Sequence, residues 1–373
     1  MSKLQTPFRY DYVGSFLRPA ALKEARQKFE DGKIEYAELK AIEDQAIREL
    51  IQKIKELGYH VITDGEFRRA TWHLDFMWGL DGVGHSKTQT GLPFHGEAAM
   101  IDDTYLTGKV ILTHEHPFIE HFRFVKSFED ENTVAKQTIP SPAQTLAQFT
   151  MPFNRAHTEK YYTNDQDLIN DLVAAYSKFI NDLYAAGCRN LQLDDCTWGA
   201  IVGNAAKQRY QSLGIDLEDV KKQLLAVNNL ALENKPADMV ITSHICRGNY
   251  HSTWASQGGY APIAPFLFAQ ENVDAFYLEF DDERSGSFEP LKYVADGKKV
   301  VLGLITTKSP RLEDKDAVIA RIHEAEKYIP LERLCLSPQC GFASCEIGNK
   351  LTELEQWNKL KLVKEIAETV WGD

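Results

Sequence analysis

The sequence lacks any apolar run long enough to cross a membrane. Its longest apolar stretches, such as residues 261–269, are far shorter than the ~20 residues that a membrane helix needs. Residues 1–13 also contain no apolar core of the kind found in signal peptides. These absences exclude an integral membrane protein and predict a cytoplasmic location.

Cysteine is also scarce, and acidic residues outnumber basic ones by 54 to 42. Six cysteines in 373 residues are too few for a disulfide framework, so in a reducing compartment they are either core residues or metal ligands. The formal net charge is −12 and no run of Lys and Arg interrupts it, which argues against a nucleic-acid partner. Small molecules are therefore the expected substrates.

A pattern of amphipathic helix, Gly and short apolar strand recurs along the chain. Apolar residues fall at helical spacing over residues 39–57, then come Gly58 and the strand 60–63. The same pattern returns as a helix over 167–186, followed by Gly187 and the strand 190–193. Alternating helices and strands with short links predict βα units on a parallel sheet.

Eight strands of this kind can be counted. They are Asp11–Ser15, His60–Glu66, Ala135–Pro140, Asn190–Asp195, Met239–Cys246, Ala275–Phe280, Lys299–Ile305 and Arg333–Cys340. Among the helices, one is predicted over 310–328 with Ser309 as its N-cap, and the last over 352–371 with a capping box from Thr352 to Glu355. The pattern predicts an α/β fold, a TIM (β/α)8 barrel, with a doubly wound sheet as the alternative.

Residues 75–132 do not follow this rhythm. The segment is rich in Gly at first and includes a hairpin-like stretch over 104–112. Because it comes after strand 2, we expect a long insertion beside the active-site end of the barrel. No linker or low-complexity segment divides the chain, so residues 1–373 are predicted to form a single catalytic domain.

Four good zinc ligands stand at predicted strand ends: His244, Cys246, Glu279 and Cys340. In a His-x-Cys pair on a strand both side chains face the same way, so both can bind one ion. A closed barrel would bring the two ligands from distant strands to that ion. Thiolate, imidazole and carboxylate together favour Zn²⁺ over Mg²⁺ or Ca²⁺. The other cysteines, among them Cys196 and Cys335, are interpreted as structural thiols.

Such a ligand set predicts chemistry on a thiol. Two thiolates and a carboxylate make the zinc a poor Lewis acid for generating hydroxide, but suit it to hold an incoming thiol as a nucleophilic thiolate. Hydrolytic zinc sites favour histidines and an open position, so a zinc hydrolase is the less favoured alternative. A non-catalytic barrel with structural zinc is a third.

Other polar strand ends could bind the rest of an amino-acid thiol. Glu66 and Asp194 are carboxylates that suit an ammonium group, and Ser15 with its backbone N–H suits a carboxylate. Strand alternation favours Asp194 over its neighbour Asp195, which stays an alternative.

Several short sequence motifs resemble those of the catalytic C-terminal barrel of cobalamin-independent methionine synthase. They occur in the same order along nearly the whole chain. They are Val13-Gly14-Ser15-Phe16, Asp64-Gly65-Glu66, Gln192-Leu193-Asp194-Asp195, Ser243-His244-Ile245-Cys246, Leu278-Glu279 and Ser337-Pro338-Gln339-Cys340-Gly341. This resemblance implies a TIM barrel that methylates homocysteine on zinc. It implies that His244, Cys246, Glu279 and Cys340 bind zinc, that Glu66 and Asp194 bind the ammonium of homocysteine, and that Ser15 binds its carboxylate.

Three departures from that family lie on the methyl-donor side. The chain has no second, N-terminal barrel, and the 139–142 segment lacks the Trp that stacks on folate in the family. Lys308 stands in the segment where the family has a His proposed as proton donor, so Lys308 is the candidate catalytic acid here. These departures indicate that the methyl donor need not be the usual triglutamyl folate. The expected activity is that of a homocysteine S-methyltransferase that uses 5-methyltetrahydrofolate or a related donor. The alternative is alkyl transfer to another thiol, as in the similar epoxyalkane:coenzyme M transferase.

Overall fold

A computed structural model describes residue 4 and residues 6–372 as alternating helices and strands. Residues 1–3 and 5, part of the segment inspected for a signal peptide, lie outside the described residues, as does residue 373 at the end of the predicted domain. The strands of the described part are β1 (Val61–Ile62), β2 (Asp81–Ser86), β3 (Leu92–Pro93), β4 (Ala98–Ala99), β5 (Asp103–Ile111), β6 (Val134–Ala135), β7 (Gln137–Pro140), β8 (Asn190–Asp195), β9 (Val240–Ile245), β10 (Ala275–Glu279), β11 (Lys299–Ile305) and β12 (Leu334–Pro338).

The helices have the amphipathic pattern that the sequence predicts. They are α1 (Ala20–Glu30), α2 (Tyr36–Glu56), α3 (Leu74–Trp78), α4 (Pro117–Lys126), α5 (Pro142–Thr150), α6 (Pro152–Thr158), α7 (Asp165–Ala185), α8 (Thr197–Ile201), α9 (Asn204–Ser212), α10 (Leu217–Ala231), α11 (Ala264–Gln270), α12 (Lys315–Glu326) and α13 (Glu353–Trp371), with short 3₁₀ turns at Glu283–Ser285, Glu289–Tyr293 and Leu331–Arg333. No helix among residues 4 and 6–372 is both long and apolar enough to span a bilayer.

Helix ends test the predicted capping residues. Gly58 and Gly187 follow α2 and α7 with φ of 80° and 98°, as a C-terminal glycine requires. The capping box of Thr352 and Glu355 is confirmed. The predicted start of α12 is wrong, because Asp314 caps the helix instead of Ser309 and accepts a hydrogen bond from the Ala317 N–H at 2.9 Å.

Six of the predicted strands form one parallel sheet. Its order is β12-β11-β10-β9-β8-β7, and every neighbouring pair is parallel. Beyond β7, the short strand β6 pairs in parallel with β1. Beyond β12, a parallel bridge joins Tyr10 to Leu336. Apart from β2 to β5, the strands thus follow one another in chain order, from β1 through β6 and β7 to β12, and the first segment of the chain lies next to the last strand.

The first two predicted strands differ from the expectation. No strand forms over Asp11–Ser15, where the nearest pairing is the isolated bridge at Tyr10. Of the predicted strand over 60–66, only Val61–Ile62 pairs as a strand, because Gly65 and Glu66 turn the chain with φ of 65° and 61°. Between residues 10–16 and 61–66, the described residues share a single backbone hydrogen bond, from the Phe16 N–H to the Gly65 carbonyl at 3.1 Å. The observed unit is therefore a six-stranded parallel sheet extended at both ends.

The insertion after β1 forms small antiparallel ribbons. The stretch over 104–112 is one strand, β5, and its partner is β2 instead of a second strand within the stretch; β3 pairs with β4. The ribbons reach the segment that follows β9: the His95 N–H donates to the Trp254 carbonyl at 2.9 Å, and the rings of these residues stack at 4.6 Å. The insertion therefore covers the carboxyl end of β9.

Candidate metal and substrate site

His244, Cys246, Glu279 and Cys340 come together at the carboxyl ends of three parallel strands. His244 lies in β9 and Cys246 directly after it, Glu279 is the last residue of β10, and Cys340 follows β12. One ligand atom from each of the four lies within 4.8 Å of the others, and all four residues are buried. We call this group the Cys₂HisGlu cluster.

The arrangement of the polar atoms in the Cys₂HisGlu cluster suits a bound metal ion, because several of these atoms have no hydrogen-bond partner among the described residues. The two Sγ atoms are 3.8 Å apart, which matches the ~3.8 Å edge of a tetrahedron with Zn–S distances of about 2.3 Å. Both ring nitrogens of His244 are buried without a hydrogen-bond partner, as is Oε2 of Glu279. Its other oxygen, Oε1, accepts the Arg247 backbone N–H at 2.8 Å, which fixes the carboxylate. Buried orphan atoms are costly unless something binds them.

The thiols of the cluster are protonated when no cation is near. A hydrogen bond with Cys196, together with burial, raises the pKa of Cys246 well above its usual value, against the opposing effect of its hydrogen bond with Cys340. The pKa of Cys340 is raised first by its hydrogen bond with Cys246 and then by burial. Metal binding at such thiols must release protons. Cys196, expected to be a plain core thiol, therefore contacts a residue of the cluster.

Glu66 is held in a strained and buried position. Its φ of 61° is unusual for a residue with a side chain. The hydroxyl of Thr138 donates to Glu66 Oε1 at 3.0 Å, and Arg69 lies 3.5 Å from the same oxygen, while Oε2 has no partner. Burial raises the pKa of Glu66 to about 7, with the charge of Arg69 opposing this rise and the nearby Asp194 adding to it. Glu66 thus offers one free carboxylate oxygen.

Asp194 faces the same region and is oriented by a neighbour on its own strand. The Nε2 group of Gln192 donates to Asp194 Oδ1 at 2.7 Å and to the Val13 carbonyl at 2.8 Å, while its Oε1 accepts from the buried Lys136 ammonium at 3.3 Å. Because Lys136 can only donate, the amide is held with its NH₂ toward Asp194. Burial raises the pKa of Asp194 to about 7.

Ser15 lies against the segment that carries Cys340. Its Oγ accepts the Ala343 N–H at 3.3 Å, and a Cβ on Gly341 would lie 1.8 Å from this oxygen. Gly341 is thus required for the close approach of the two segments. Asp195, the alternative to Asp194, points elsewhere: it accepts hydrogen bonds from Ser141 at 2.7 Å and from the backbone of Thr197 at 2.8 Å.

Lys308 follows β11, on the far side of Glu279 from β9. Its Nζ is buried without a hydrogen-bond partner. The acidic group that it influences is Asp281, whose pKa is raised by burial and lowered by Lys308. The structure therefore leaves the ammonium N–H groups of Lys308 unpaired near the end of β10.

Sequence reasoning did not single out Gln192, Thr138 or the side chain of Arg247. Gln192 could have been found, because strand alternation places it on the same face as Asp194. Thr138 and Arg247 make contacts between segments that are far apart in the chain, and no local sequence spacing predicts such contacts.

Comparison with known proteins places this chain among the methionine synthase-like methyltransferases. The family model described as "Cobalamin-independent synthase, Catalytic domain" matches residues 153–368. The Bacillus subtilis (strain 168) protein YxjH is 42% identical over 368 residues, which cover 98% of this chain and 96% of YxjH. The chain belongs to the cobalamin-independent synthase catalytic-domain family.

Two further relatives agree in fold or in sequence. The crystal structure of a Listeria monocytogenes protein, assigned provisionally as a vitamin-B12 independent methionine synthase, is 40% identical with a TM-score of 0.77 and matches 98% of this chain and 99% of its own. A protein of Saccharolobus solfataricus named methionine synthase is 25% identical over 333 residues, 88% of this chain and 86% of its own. Both matches extend over most of each chain, so the likeness is not confined to the Cys₂HisGlu cluster.

Proposed function

We propose that this protein is a zinc-dependent homocysteine S-methyltransferase that forms methionine with a methyl group from 5-methyltetrahydrofolate or a related donor. The observation that carries the proposal is the buried Cys₂HisGlu cluster, whose ligand atoms lie within 4.8 Å of one another with both His244 nitrogens unpartnered. The methyltransferase family and the methionine synthase relative support the same reaction.

The donor set suits zinc that activates a thiol. Two thiolates, one carboxylate and Zn²⁺ together carry one net negative charge, and zinc bound this way would lower the pKa of a homocysteine thiol and hold it as a nucleophilic thiolate. Glu279 is the hardest of the four ligands, and its Oε1 is already held by the Arg247 N–H. That hydrogen bond would keep the Glu279 carboxylate in position if the incoming thiol weakened the bond between Glu279 and the metal.

Glu66, Asp194 and Ser15 are proposed to bind the amino-acid end of homocysteine. The free Oε2 of Glu66 and the carboxylate of Asp194 supply acceptors for the ammonium group. Asp194 contributes to catalysis by fixing the ammonium group, because this also positions the thiol of the same homocysteine molecule. Ser15 would present its hydroxyl and backbone to the carboxylate.

Lys308 is proposed as the catalytic acid. Transfer of the methyl group leaves electron density on the donor atom from which it departs, and a proton supplied there makes the departure easier. The ammonium of Lys308 is buried and its N–H groups have no acceptor within the described residues. It can therefore donate a proton to a donor bound at the ends of β10 and β11.

We further propose that the chain forms one (β/α)8 barrel domain over residues 1–373, with residues 75–132 as its insertion. The chain-order succession of parallel strands and the bridge between Tyr10 and Leu336 support closure. Such a barrel would bring Ser15 and Glu66 round to the Cys₂HisGlu cluster.

Substitution of Cys340 tests the proposed function. The Cys340→Ser variant should lose zinc and, with it, methionine formation from homocysteine and 5-methyltetrahydrofolate, because a hydroxyl is a far weaker ligand than a thiolate. Elemental analysis and a turnover assay measure the two effects. Cys335→Ser is the matched control, since Cys335 is equally buried but lies within β12, outside the cluster.

The control should keep its zinc. A Cys340→Ser enzyme that is metal-free and still active would refute the proposal. Replacing homocysteine by coenzyme M distinguishes the competing thiol: turnover with coenzyme M alone would reject homocysteine as the substrate.

A further inference from the structure

Each thiol of the Cys₂HisGlu cluster has a hydrogen-bonding group of the protein beside it. The Gly248 backbone N–H donates to Cys246 Sγ at 3.3 Å, and the Ser344 hydroxyl oxygen lies 3.8 Å from Cys340 Sγ. A backbone N–H can only donate, so the role of Gly248 is fixed. A hydroxyl can donate or accept, so the role of Ser344 depends on its other contacts.

The contacts of Asn349 are the first step in fixing that role. Its Nδ2 group donates to the Thr307 carbonyl at 2.9 Å, and its Oδ1 accepts the Ser252 backbone N–H at 2.8 Å. A carbonyl can only accept and a backbone N–H can only donate, so these contacts fix which end of the amide carries the NH₂ group. The same Nδ2 group donates to Asn249 Oδ1 at 2.9 Å. Asn249 therefore has its oxygen turned toward Asn349.

Asn249 in turn fixes the role of the Ser344 hydroxyl. Its NH₂ group donates to the Gly341 carbonyl at 2.7 Å and to Ser344 Oγ at 3.0 Å. The Gly341 carbonyl requires the same orientation of Asn249, because only an NH₂ group can donate to it. Ser344 Oγ is thus an acceptor from Asn249, and its own proton remains free. Among the described residues, Cys340 Sγ is the one hydrogen-bond partner left for that proton.

Burial makes these contacts persistent. Ser344 is 8% exposed, and Cys340 and the two asparagines are less exposed still. Water competes little at such positions, and an unpaired buried amide is costly. When a metal ion binds, Cys340 loses its proton and can only accept, so the hydroxyl of Ser344 must donate to it. A hydrogen bond to a charged acceptor is stronger than one between neutral groups.

We propose that Ser344 is a positioning residue that donates a hydrogen bond to the metal-bound thiolate of Cys340. The inference rests on the proposed function, since it concerns the metal that the cluster would hold for a substrate thiol. Hydrogen bonds to a ligand sulfur withdraw electron density from it and so tune the metal. With one such bond on Cys246 and one on Cys340, both resident thiolates become weaker nucleophiles. This favours methylation of the substrate sulfur over methylation of the protein.

A purely structural role of Ser344 is the alternative. Its backbone carbonyl accepts the Trp72 N–H at 2.8 Å, which joins the segment after β12 to the segment after β1. That contact does not involve the hydroxyl and is retained in Ser344→Ala. The hydroxyl has two partners among the described residues, Asn249 and Cys340. Its removal therefore tests the contact with sulfur.

Cobalt(II) in place of zinc reports on this contact, because its thiolate ligands give charge-transfer absorption whose energy depends on the electron density at sulfur. The band is recorded for cobalt-loaded wild type and Ser344→Ala, with Ser337→Ala as the matched control. Ser337 is also a buried serine, in β12, but its hydroxyl donates to the Pro338 carbonyl at 2.8 Å and not to a thiol of the cluster.

A second measurement follows the reactivity of the two thiolates. The zinc-loaded proteins are treated with iodomethane, and S-methylation of Cys340 and of Cys246 is measured by mass spectrometry. In this reaction the thiolate forms a bond to the methyl carbon with its own electron pair, and iodide leaves with the pair of the broken carbon–iodine bond. Cys246 is the internal control, because its hydrogen bond comes from the Gly248 backbone and is the same in every variant.

We expect the charge-transfer band of Ser344→Ala to lie at longer wavelength than that of wild type, because loss of the hydrogen bond raises the energy of the sulfur electrons. The Ser337→Ala band should match wild type. Methylation of Cys340 should be roughly two- to tenfold faster in Ser344→Ala, with that of Cys246 unchanged. A band at the wild-type position in Ser344→Ala, or an equal shift in Ser337→Ala, would overturn the hydrogen bond. An unchanged ratio of Cys340 to Cys246 methylation would overturn its part in directing the methyl group.

Failure of the proposed function has a separate signature. A protein that binds neither zinc nor cobalt would overturn both proposals. A protein that shows the shifted band in Ser344→Ala, while the wild type forms no methionine from homocysteine, would support the hydrogen bond and reject the proposed reaction.

Discussion

Two buried carboxylates near the Cys₂HisGlu cluster are poised between their charged and neutral forms. The pKa of Glu66 and that of Asp194 are each about 7, raised above all by burial. Arg69 compensates the charge of Glu66 only in part, since Oε2 of Glu66 has no partner among the described residues. A substrate ammonium would supply that compensation, so these groups are suited to ionise as the amino acid binds.

The affinity for methionine should therefore depend on pH. Glu66 is protonated below about pH 7 and ionised above it, and only the ionised form attracts an ammonium group. Binding should weaken as the pH falls from about 8 to about 5.5, by up to about tenfold per unit below the pKa. Calorimetric titration of the zinc-loaded protein over this range measures the effect.

The Glu66→Gln variant is the control for this pH dependence. It should bind methionine more weakly at about pH 8 and show a shallower slope, because one titrating carboxylate has gone. An affinity of the wild type that does not change over the range would exclude a role for these carboxylates in holding the ammonium.

At the residue scale, sequence alone could name the four members of the cluster but not their surroundings. The four residues are recognisable because they are potential zinc ligands at the ends of predicted strands: His244, Cys246, Glu279 and Cys340. The orienting contacts of Gln192 and the hydrogen bond from the Arg247 N–H to Glu279 depend on which segments meet in space. Those contacts are long-range, so only the structure reveals them.

At the scale of elements, local patterns predict helices better than they predict the first strands. The helix α13 begins where its capping box predicts, because this signal lies within four residues. The strand over 60–66 is cut short by left-handed residues at its end, and α12 begins later than its Pro and Ser suggest, since Asp314 provides the cap that is used. Competing local signals of this kind are settled by packing.

The capping box of α13 offers a test at this scale. In Thr352→Ala the helix loses the hydroxyl that accepts the Glu355 N–H at 3.3 Å, so the free energy of unfolding should fall by about 1 kcal/mol. Urea denaturation of the zinc-loaded protein measures the change. Thr369→Ala, at the other end of the same helix, should change it by less than about 0.5 kcal/mol. Equal losses in the two variants would contradict the capping role.

At the scale of the whole molecule, strand order turns distant residues into one site. The residues of the Cys₂HisGlu cluster lie in or directly after β9, β10 and β12, which are parallel and whose carboxyl ends therefore meet at one edge. The insertion contacts the segment after β9 from above through His95 and Trp254. The eight-unit pattern predicts this strand order from the sequence, whereas the fold of the insertion could not be predicted because its short ribbons carry no regular period.

The central claim is that the Cys₂HisGlu cluster holds zinc that binds a substrate thiol. The most direct measurement is the zinc content of the purified protein together with zinc-edge X-ray absorption with and without homocysteine. The account predicts one zinc per chain, and one more sulfur neighbour when homocysteine is added. A protein without zinc, or zinc whose neighbours are unchanged by homocysteine, would contradict it.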